Sequence, residues 1–140
     1  MPQFETPVRV YIEDTDAGGI VFYVNYLKFM ERARTEYMRE LGYDKPALLH
    51  EDKLLVVHSA NTQYRRPARL DDMLTATVVI RKLARSYLVF EQKVLRGAEL
   101  LCEAEIKVAC VTHVDLRPVA LPEGVRNDIQ SDCAQRDWLL

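Results

Sequence analysis

A carboxylate lies on a glycine-containing loop a few residues before a predicted helix. The loop reads Glu13-Asp14-Thr15-Asp16-Ala17-Gly18-Gly19. The first N–H groups of a helix have no intrahelical acceptor and carry partial positive charge, so they can bind an oxyanion. An acid beside such a site could hydrolyse an ester or a thioester. On these residues alone, the simpler interpretation is that the acids are solvated turn residues and the glycines only form the turn.

The same segment also begins like a calcium-binding EF-hand loop, with D-x-D and a glycine at the sixth place. The fifth place is Gly18, however, and the twelfth is Asn25, where a bidentate Glu is needed. The sequence therefore predicts no metal site here. The three cysteines (Cys102, Cys110 and Cys133) include no CxxC pair, which favours free thiols over a disulfide or zinc site. We expect no cofactor.

The sequence predicts one long helix after the loop. Asn25 is a plausible N-cap for it, and Gly42 supplies a stop. Apolar residues recur on one face at helical spacing: Tyr26, Phe29, Met30, Ala33, Tyr37 and Leu41. A second short helix is predicted from near Pro46 to about His50.

Alternation of apolar and polar residues predicts five strands. One precedes the helix, and four follow it: Val8–Ile12, then Leu54–Tyr64, Met73–Lys82, Tyr87–Arg96 and Leu100–His113. This order predicts an α+β domain spanning residues 1–140, with the helix covering one face of an antiparallel sheet. Residues 127–140 are polar and are expected to form a peripheral C-terminal tail. Because sheet edges need cover, we expect at least a dimer.

Bulk properties exclude several classes of function. The formal net charge is −2 and the pI is about 5.9, which argues against binding nucleic acid through phosphate contacts. The first residues lack the features of a signal peptide, and no apolar run approaches the roughly 20 residues needed to span a bilayer. Together with free thiols, these features predict a cytoplasmic protein.

A specific resemblance sharpens this interpretation. The run from Asp14 to Arg34, D-T-D-A-G-G-I-V-F-Y-V-N-Y-L-K-F-M-E-R-A-R, resembles the signature of the 4-hydroxybenzoyl-CoA thioesterase family. It is most similar to the YbgC-like acyl-CoA thioesterases that are encoded with the Tol-Pal envelope system. Residues 64–72 resemble the family's turn into its third strand, and the likeness extends roughly from Val8 to Pro122.

The resemblance implies a hotdog fold, in which a five-stranded antiparallel sheet wraps the long central helix. It also implies hydrolysis of an acyl-CoA to a free carboxylic acid and CoA. A homodimer or homotetramer is expected, with possible protein partners in the envelope or in lipid metabolism.

The resemblance also assigns roles to residues. Asp16 matches the family's catalytic aspartate, acting as nucleophile or as general base, and Tyr23 contributes its backbone N–H to the thioester oxygen. Many relatives have a histidine at or near Tyr23, which this chain lacks. Glu31 is a rival carboxylate, because another hotdog branch uses an acid on the central helix; an ion pair with Arg34 or a neighbouring subunit is expected instead. Asp14 is expected to fix the loop through hydrogen bonds.

The remaining candidates would bind substrate. The family's acyl pocket is lined by the strand that carries Val57, His58 and Ser59. Cations for the phosphates of CoA would come from Arg65, Arg66, Lys82 and Arg85, of which Arg85 aligns best with a ligand contact in the family.

Hotdog domains offer two alternatives to hydrolysis. A hotdog dehydratase requires a histidine that faces the substrate. None of the histidines follows the glycine loop, so the sequence disfavours this activity (His50, His58 and His113). The other alternative is a non-catalytic acyl-CoA-binding or envelope-associated interaction module of the same fold.

Overall fold

The order of elements is a strand, a long helix, four strands and a second helix. The computed structural model describes residues 2–45, 49 and 52–140. The elements are β1 (Phe4–Arg9), α1 (Tyr23–Glu40), β2 (Lys53–Tyr64), β3 (Met73–Leu83), β4 (Tyr87–Arg96), β5 (Glu99–Thr112) and α2 (Glu123–Gln135). A short 3-10 turn at Ile12–Asp14 leads from β1 toward α1. The short helix predicted near Pro46 falls largely on residues outside those described.

The five strands form one antiparallel sheet in the order β1-β3-β4-β5-β2. Helix α1 packs across one face of this sheet, against β3, β1 and β4. One long helix on a five-stranded antiparallel sheet is the α+β hotdog arrangement, so the expected fold is confirmed.

The apolar face of α1 is the centre of the core. Phe29, Met30 and Tyr37 are fully buried, as the helical spacing predicted. Burying each side chain of this size contributes about 1.5–3 kcal/mol. The helix ends at Glu40, and Gly42 has φ +102°, a left-handed conformation that costs glycine little. The predicted stop is therefore confirmed.

Two predicted boundaries are wrong. Helix α1 begins at Tyr23, after an N-cap at Phe22 that makes no side-chain capping bond. Asn25 is instead buried inside the first turn, where its Nδ2 donates to Asp14 Oδ1 at 2.9 Å. The first strand is Phe4–Arg9 rather than 8–12, because the chain turns into the 3-10 segment after Val10.

The C-terminal segment belongs to the packed domain, which corrects the expected peripheral tail over residues 127–140. Helix α2 buries Ile129 and Cys133, and Trp138 after it is also buried. Tyr37 Oη donates to Asp132 Oδ2 at 2.7 Å, which joins α2 to the last turn of α1. The prediction was wrong because the stretch is polar on average, although its apolar residues recur every four positions and form one face of an amphipathic helix.

Strand β2 forms one edge of the sheet. It pairs with β5 and with no other strand within the described residues. Val56 and Val57 on this strand are exposed. Among the described helices, none is long and apolar enough to cross a lipid bilayer.

Candidate active site

Asp16 lies at the start of a tight loop between the 3-10 turn and α1. Its carboxylate Oδ1 accepts a hydrogen bond from Gly18 N at 2.8 Å. Its backbone N donates to Ile20 O at 3.0 Å, and its backbone O accepts from Gly19 N at 3.1 Å. Gly19 has φ +80°, which favours glycine at this turn. The loop therefore fixes the carboxylate, which is exposed in the single chain.

Asp14 anchors the base of this loop. Its side chain is 2% exposed, and its two oxygens accept from Asn25 Nδ2 and from Tyr11 N, each at 2.9 Å. Its backbone O accepts from Phe22 N at 2.9 Å. These contacts join the 3-10 turn to the first turn of α1, which agrees with the expected structural role of Asp14.

The helix start offers unused donors. Tyr23 is the first residue of α1, and its backbone N–H has no acceptor within the described residues, as expected for the first turn of a helix. The next N–H group, that of Val24, is also without one. Both can donate to a partly negative oxygen placed at the helix end.

A cleft of about 230 Å³ opens beside this helix start. Tyr64 is central to the cleft. Its ring centroid lies 5.9 Å from the ring centroid of Tyr23 and 5.7 Å from that of Tyr26. Burial raises the pKa of both Tyr26 and Tyr64, so both phenols stay neutral at physiological pH. The full lining is Ile20, Val21, Tyr23, Tyr26, Tyr64, Arg65, Arg66 and Pro67.

The cleft brings together three of the predicted site residues, Tyr23, Arg65 and Arg66. Both arginines are exposed at its rim and pair with acids of β5: Arg65 Nε lies 3.1 Å from Glu103 Oε2, and Arg66 Nε lies 3.5 Å from Glu99 Oε2. Such exposed pairs contribute about 0–1 kcal/mol, so an incoming phosphate could compete for either guanidinium. Asp16 does not line this cleft, although Ile20, to which it is hydrogen-bonded, does.

The three predicted acyl-pocket residues lie on the edge strand β2. All three are exposed in the single chain, and Val57 also lines two grooves between β2 and α1. The β2–β5 register shifts between Val57 and Ser59, so His58 lies at a β-bulge. Bulges redirect side chains, which explains why neighbouring residues here do not simply alternate between the two faces.

Lys82 lies apart from the cleft, in a group that sequence reasoning missed. Its Nζ is 5.2 Å from the ring centroid of Tyr87, and Lys107 Nζ is 4.2 Å from the same centroid. The hydrogen bond from Lys82 and the two positive charges lower the pKa of Tyr87. Lys82 and Lys107 both pair in register with Val89, from opposite sides of β4, a relation that only the sheet topology reveals. Arg85 is exposed in the turn before β4.

The described residues contain no group of three or more His, Cys, Asp and Glu side chains placed to hold a metal ion. The three cysteines are buried and free. The helix start brings together free backbone donors, aromatic rings and two arginines, and the loop that precedes it carries a hydrogen-bonded carboxylate.

The sheet order and the single long helix place this chain among the hotdog-fold proteins. Residues 18–103 match the model of the Thioesterase superfamily, and the chain belongs to that family. It is 44% identical to the acyl-CoA thioesterase YbgC of Haemophilus influenzae over 124 residues, covering 88% of this chain and 91% of that protein. It is also 44% identical to the acyl-CoA thioester hydrolase YbgC of Escherichia coli, covering 87% of this chain and 92% of that one.

Solved structures agree with this family. A probable thioesterase from Bartonella henselae superposes with a TM-score of 0.76 at 32% identity, covering 86% of this chain and 98% of that chain. A gentisyl-coenzyme A thioesterase superposes with a TM-score of 0.79 at 26% identity, covering 89% of this chain and 98% of that one. The family resemblance predicted from the sequence is therefore confirmed.

Proposed function

We propose that this protein hydrolyses acyl-CoA thioesters to a free carboxylic acid and CoA, with Asp16 as the catalytic carboxylate. The observation that carries the proposal is a hydrogen-bonded carboxylate on the loop that leads directly into the unused N–H groups of a helix start. The 44% identity with two acyl-CoA thioester hydrolases over most of the chain supports the class of substrate.

The chemistry follows from these groups. The thioester carbonyl oxygen accepts a hydrogen bond from the Tyr23 N–H, which stabilises the negative charge that develops during attack. Asp16 acts by one of two routes. In the first, it attacks the carbonyl carbon and expels the CoA thiolate, giving a mixed anhydride that water then hydrolyses. In the second, it takes a proton from a water molecule that attacks the same carbon, and the C–S bond breaks as the CoA thiolate leaves and takes up that proton.

The cations divide between two surfaces. Arg65 and Arg66, at the rim of the cleft, are the cations nearest to the helix start in the candidate set and would bind phosphate oxygens of CoA. Lys82, with Lys107 and Tyr87, and the turn residue Arg85 offer a second cationic surface on β3–β5 for the nucleotide part.

A second subunit would complete the site. Asp16 is exposed in the single chain, and a carboxylate in open water is a weak base and a weak nucleophile. Edge strand β2, with exposed Val56 and Val57, would gain backbone partners by pairing with β2 of a second copy. We therefore propose a homodimer, or a tetramer built from it, in which Val57, His58 and Ser59 contribute to the acyl pocket. A cytoplasmic location accords with three buried free thiols.

The direct test follows thiol release from a panel of acyl-CoA substrates that vary in chain length and in aromatic or aliphatic character. Wild type should turn over at least part of the panel. Asp16→Asn should lose on the order of 10²–10⁴-fold in kcat, the range for a catalytic acid or base. Equal turnover by both proteins would refute the role of Asp16. Binding of acyl-CoA without turnover by wild type would instead favour a non-catalytic module.

A further inference from the structure

Arg96, at the end of β4, contacts both ends of one turn. Its Nη1 donates to Asp72 Oδ2 at 2.7 Å and to Pro67 O at 3.4 Å. Residues 67–72 lie between β2 and β3 and form a turn, the docking turn. On its other side, Arg96 donates through Nη2 and Nε to Glu99 Oε1, at 2.8 and 3.1 Å. One guanidinium therefore joins both ends of the docking turn to the start of β5.

The docking turn needs such contacts. Asp71 has φ +70°, a left-handed conformation that is unfavourable for a residue other than glycine and persists where the surrounding contacts fix it. The carboxylate of the next residue supplies two of these contacts, because Asp72 Oδ2 accepts from Arg69 N at 2.9 Å and from Arg96. Burial acts to raise the pKa of Asp72, but the Arg69 N–H and the Arg96 guanidinium lower it overall. The carboxylate is therefore ionised at neutral pH and binds Arg96 as a full charge.

Two backbone hydrogen bonds join the docking turn to the glycine loop before α1. Val21 N donates to Ala68 O at 2.9 Å, and Leu70 N donates to Gly19 O at 3.4 Å. Ile20 lies between these two bonds and forms an antiparallel bridge with the turn. The docking turn and the glycine loop thus run side by side as a short ladder.

This ladder supports both parts of the candidate site. Asp16 N donates to Ile20 O at 3.0 Å, so the backbone of Asp16 is bonded to the residue at the centre of the ladder. The same turn contacts the helix start, where Ala68 N donates to Tyr26 Oη at 2.9 Å. Because loop and helix are held against one turn, the turn sets the position of the Asp16 carboxylate relative to the free N–H groups of α1.

We propose that Arg96 is a positioning residue for the hydrolysis: it fixes the docking turn, and the docking turn holds Asp16 in place beside the helix start. The proposal rests on the catalytic role of Asp16 proposed above. Arg96 does not line the cleft at the helix start, so it acts through the turn rather than on the substrate. Its loss should therefore affect kcat and not KM, since a small displacement of a catalytic group can cost up to about a hundredfold in rate.

The first arm of the test measures amide hydrogen exchange by NMR in the folded protein and needs no activity. In Arg96→Gln, exchange of the Val21 N–H should become about tenfold faster, because the turn that accepts its hydrogen bond opens more easily. This acceleration should exceed that of the slowest amides of β4, which report global unfolding. Asp72→Asn breaks the same contact from the other side and should have the same effect at Val21.

The matched control is Arg81→Gln. Arg81 binds Glu91 through two hydrogen bonds of 2.8 and 3.0 Å, at the end of β3 far from the docking turn. The side chains of Arg81 and Arg96 are 40% and 33% exposed, so the two substitutions remove similar partly exposed ion pairs. Exchange at Val21 and kcat should both keep their wild-type values in this control.

The second arm measures kcat and KM with the acyl-CoA that wild type turns over fastest. Arg96→Gln and Asp72→Asn should each lower kcat by about tenfold with little change in KM. The double variant should lose no more than the larger single effect, because both substitutions break one contact. Should Arg96→Gln fail to fold, Asp72→Asn is used for both arms.

Unchanged exchange at Val21 in the folded variants would overturn the proposal, as would wild-type kcat in either variant or an equal loss in Arg81→Gln. A rise in KM with unchanged kcat would also overturn it, because Arg96 would then contribute to substrate binding. The proposed function fails separately, if wild type hydrolyses no acyl-CoA or if Asp16→Asn keeps wild-type turnover. Exchange at Val21 still decides in that case whether Arg96 holds the loop.

Discussion

Asp14 and Asp16 are two residues apart, and the same substitution should affect them in opposite ways. Asp14 is buried and accepts two hydrogen bonds that join the 3-10 turn to the first turn of α1. Asp16 is exposed and accepts one side-chain hydrogen bond, from Gly18. We expect Asp14→Ala to lower stability strongly and Asp16→Ala to lower activity with little loss of stability.

The magnitudes follow from the partners left behind. Asp14→Ala removes two hydrogen bonds to a charged acceptor and leaves the Asn25 amide, 6% exposed, without a partner for one of its protons. A hydrogen bond to a charged group contributes about 1.5–3 kcal/mol, but water can reach Tyr11 and replace that bond, so we expect a loss of about 3–5 kcal/mol. Asp16→Ala should cost about 1 kcal/mol or less, as surface substitutions usually do.

Urea-induced unfolding at one fixed protein concentration measures both values. The concentration must be held constant because a dimer gains stability by mass action. An unchanged m-value would show that the denatured states are comparable. Equal losses for the two alanine variants, or a loss under about 1 kcal/mol for Asp14→Ala, would refute the anchoring role derived from the hydrogen bonds.

Three further outcomes are expected. Gly18→Ala should lower kcat with little change in KM, because its new Cβ would lie 3.2 Å from Asp16 Oδ1 and push the carboxylate aside; equal activity would show that the position of the carboxylate is not critical. Arg66→Gln should raise KM for acyl-CoA with little change in kcat, and the difference should shrink in high salt, since its guanidinium is exposed; a loss confined to kcat would contradict phosphate binding. Burial raises the pKa of Cys102 to about 12, so the folded thiol stays protonated while the unfolded chain ionises above its ordinary value of 9.0. Stability should therefore fall as the pH rises from about 9 toward 12, and urea unfolding of Cys102→Ala should show a smaller alkaline loss.

The elements with strong periodicity were predictable from the sequence. The apolar face of α1 is buried as predicted, and the four strands after it lie within one residue of their predicted bounds. The predictions that were wrong concern features that depend on contacts between residues distant in sequence. Asn25 has the composition of an N-cap, but it is used to satisfy the buried Asp14 carboxylate. The helix in the polar C-terminal segment buries Ile129 and Cys133 and is hydrogen-bonded to Tyr37 of α1, a contact between residues distant in sequence.

The candidate site was predictable in part for the same reason. Asp16 and Tyr23 lie on one continuous motif, so local sequence was sufficient to predict them as candidates. Arg65 and Arg66 reach the same cleft because the turn after β2 folds back onto the helix start, where Ala68 N donates to Tyr26 Oη at 2.9 Å. Lys107 was not predicted as part of the cationic group around Tyr87. Its nearness to Lys82 depends on strand order, which the spacing of residues along the chain does not reveal.

The measurement that tests the central claim most directly is the turnover number of Asp16→Asn at saturating acyl-CoA. The substitution keeps the size of the side chain and one oxygen that can accept from Gly18 N, while it removes the charge. We predict that the variant folds and binds acyl-CoA like wild type but turns over at least about a hundredfold more slowly. A turnover number within a few-fold of wild type would mean that another group performs the hydrolysis.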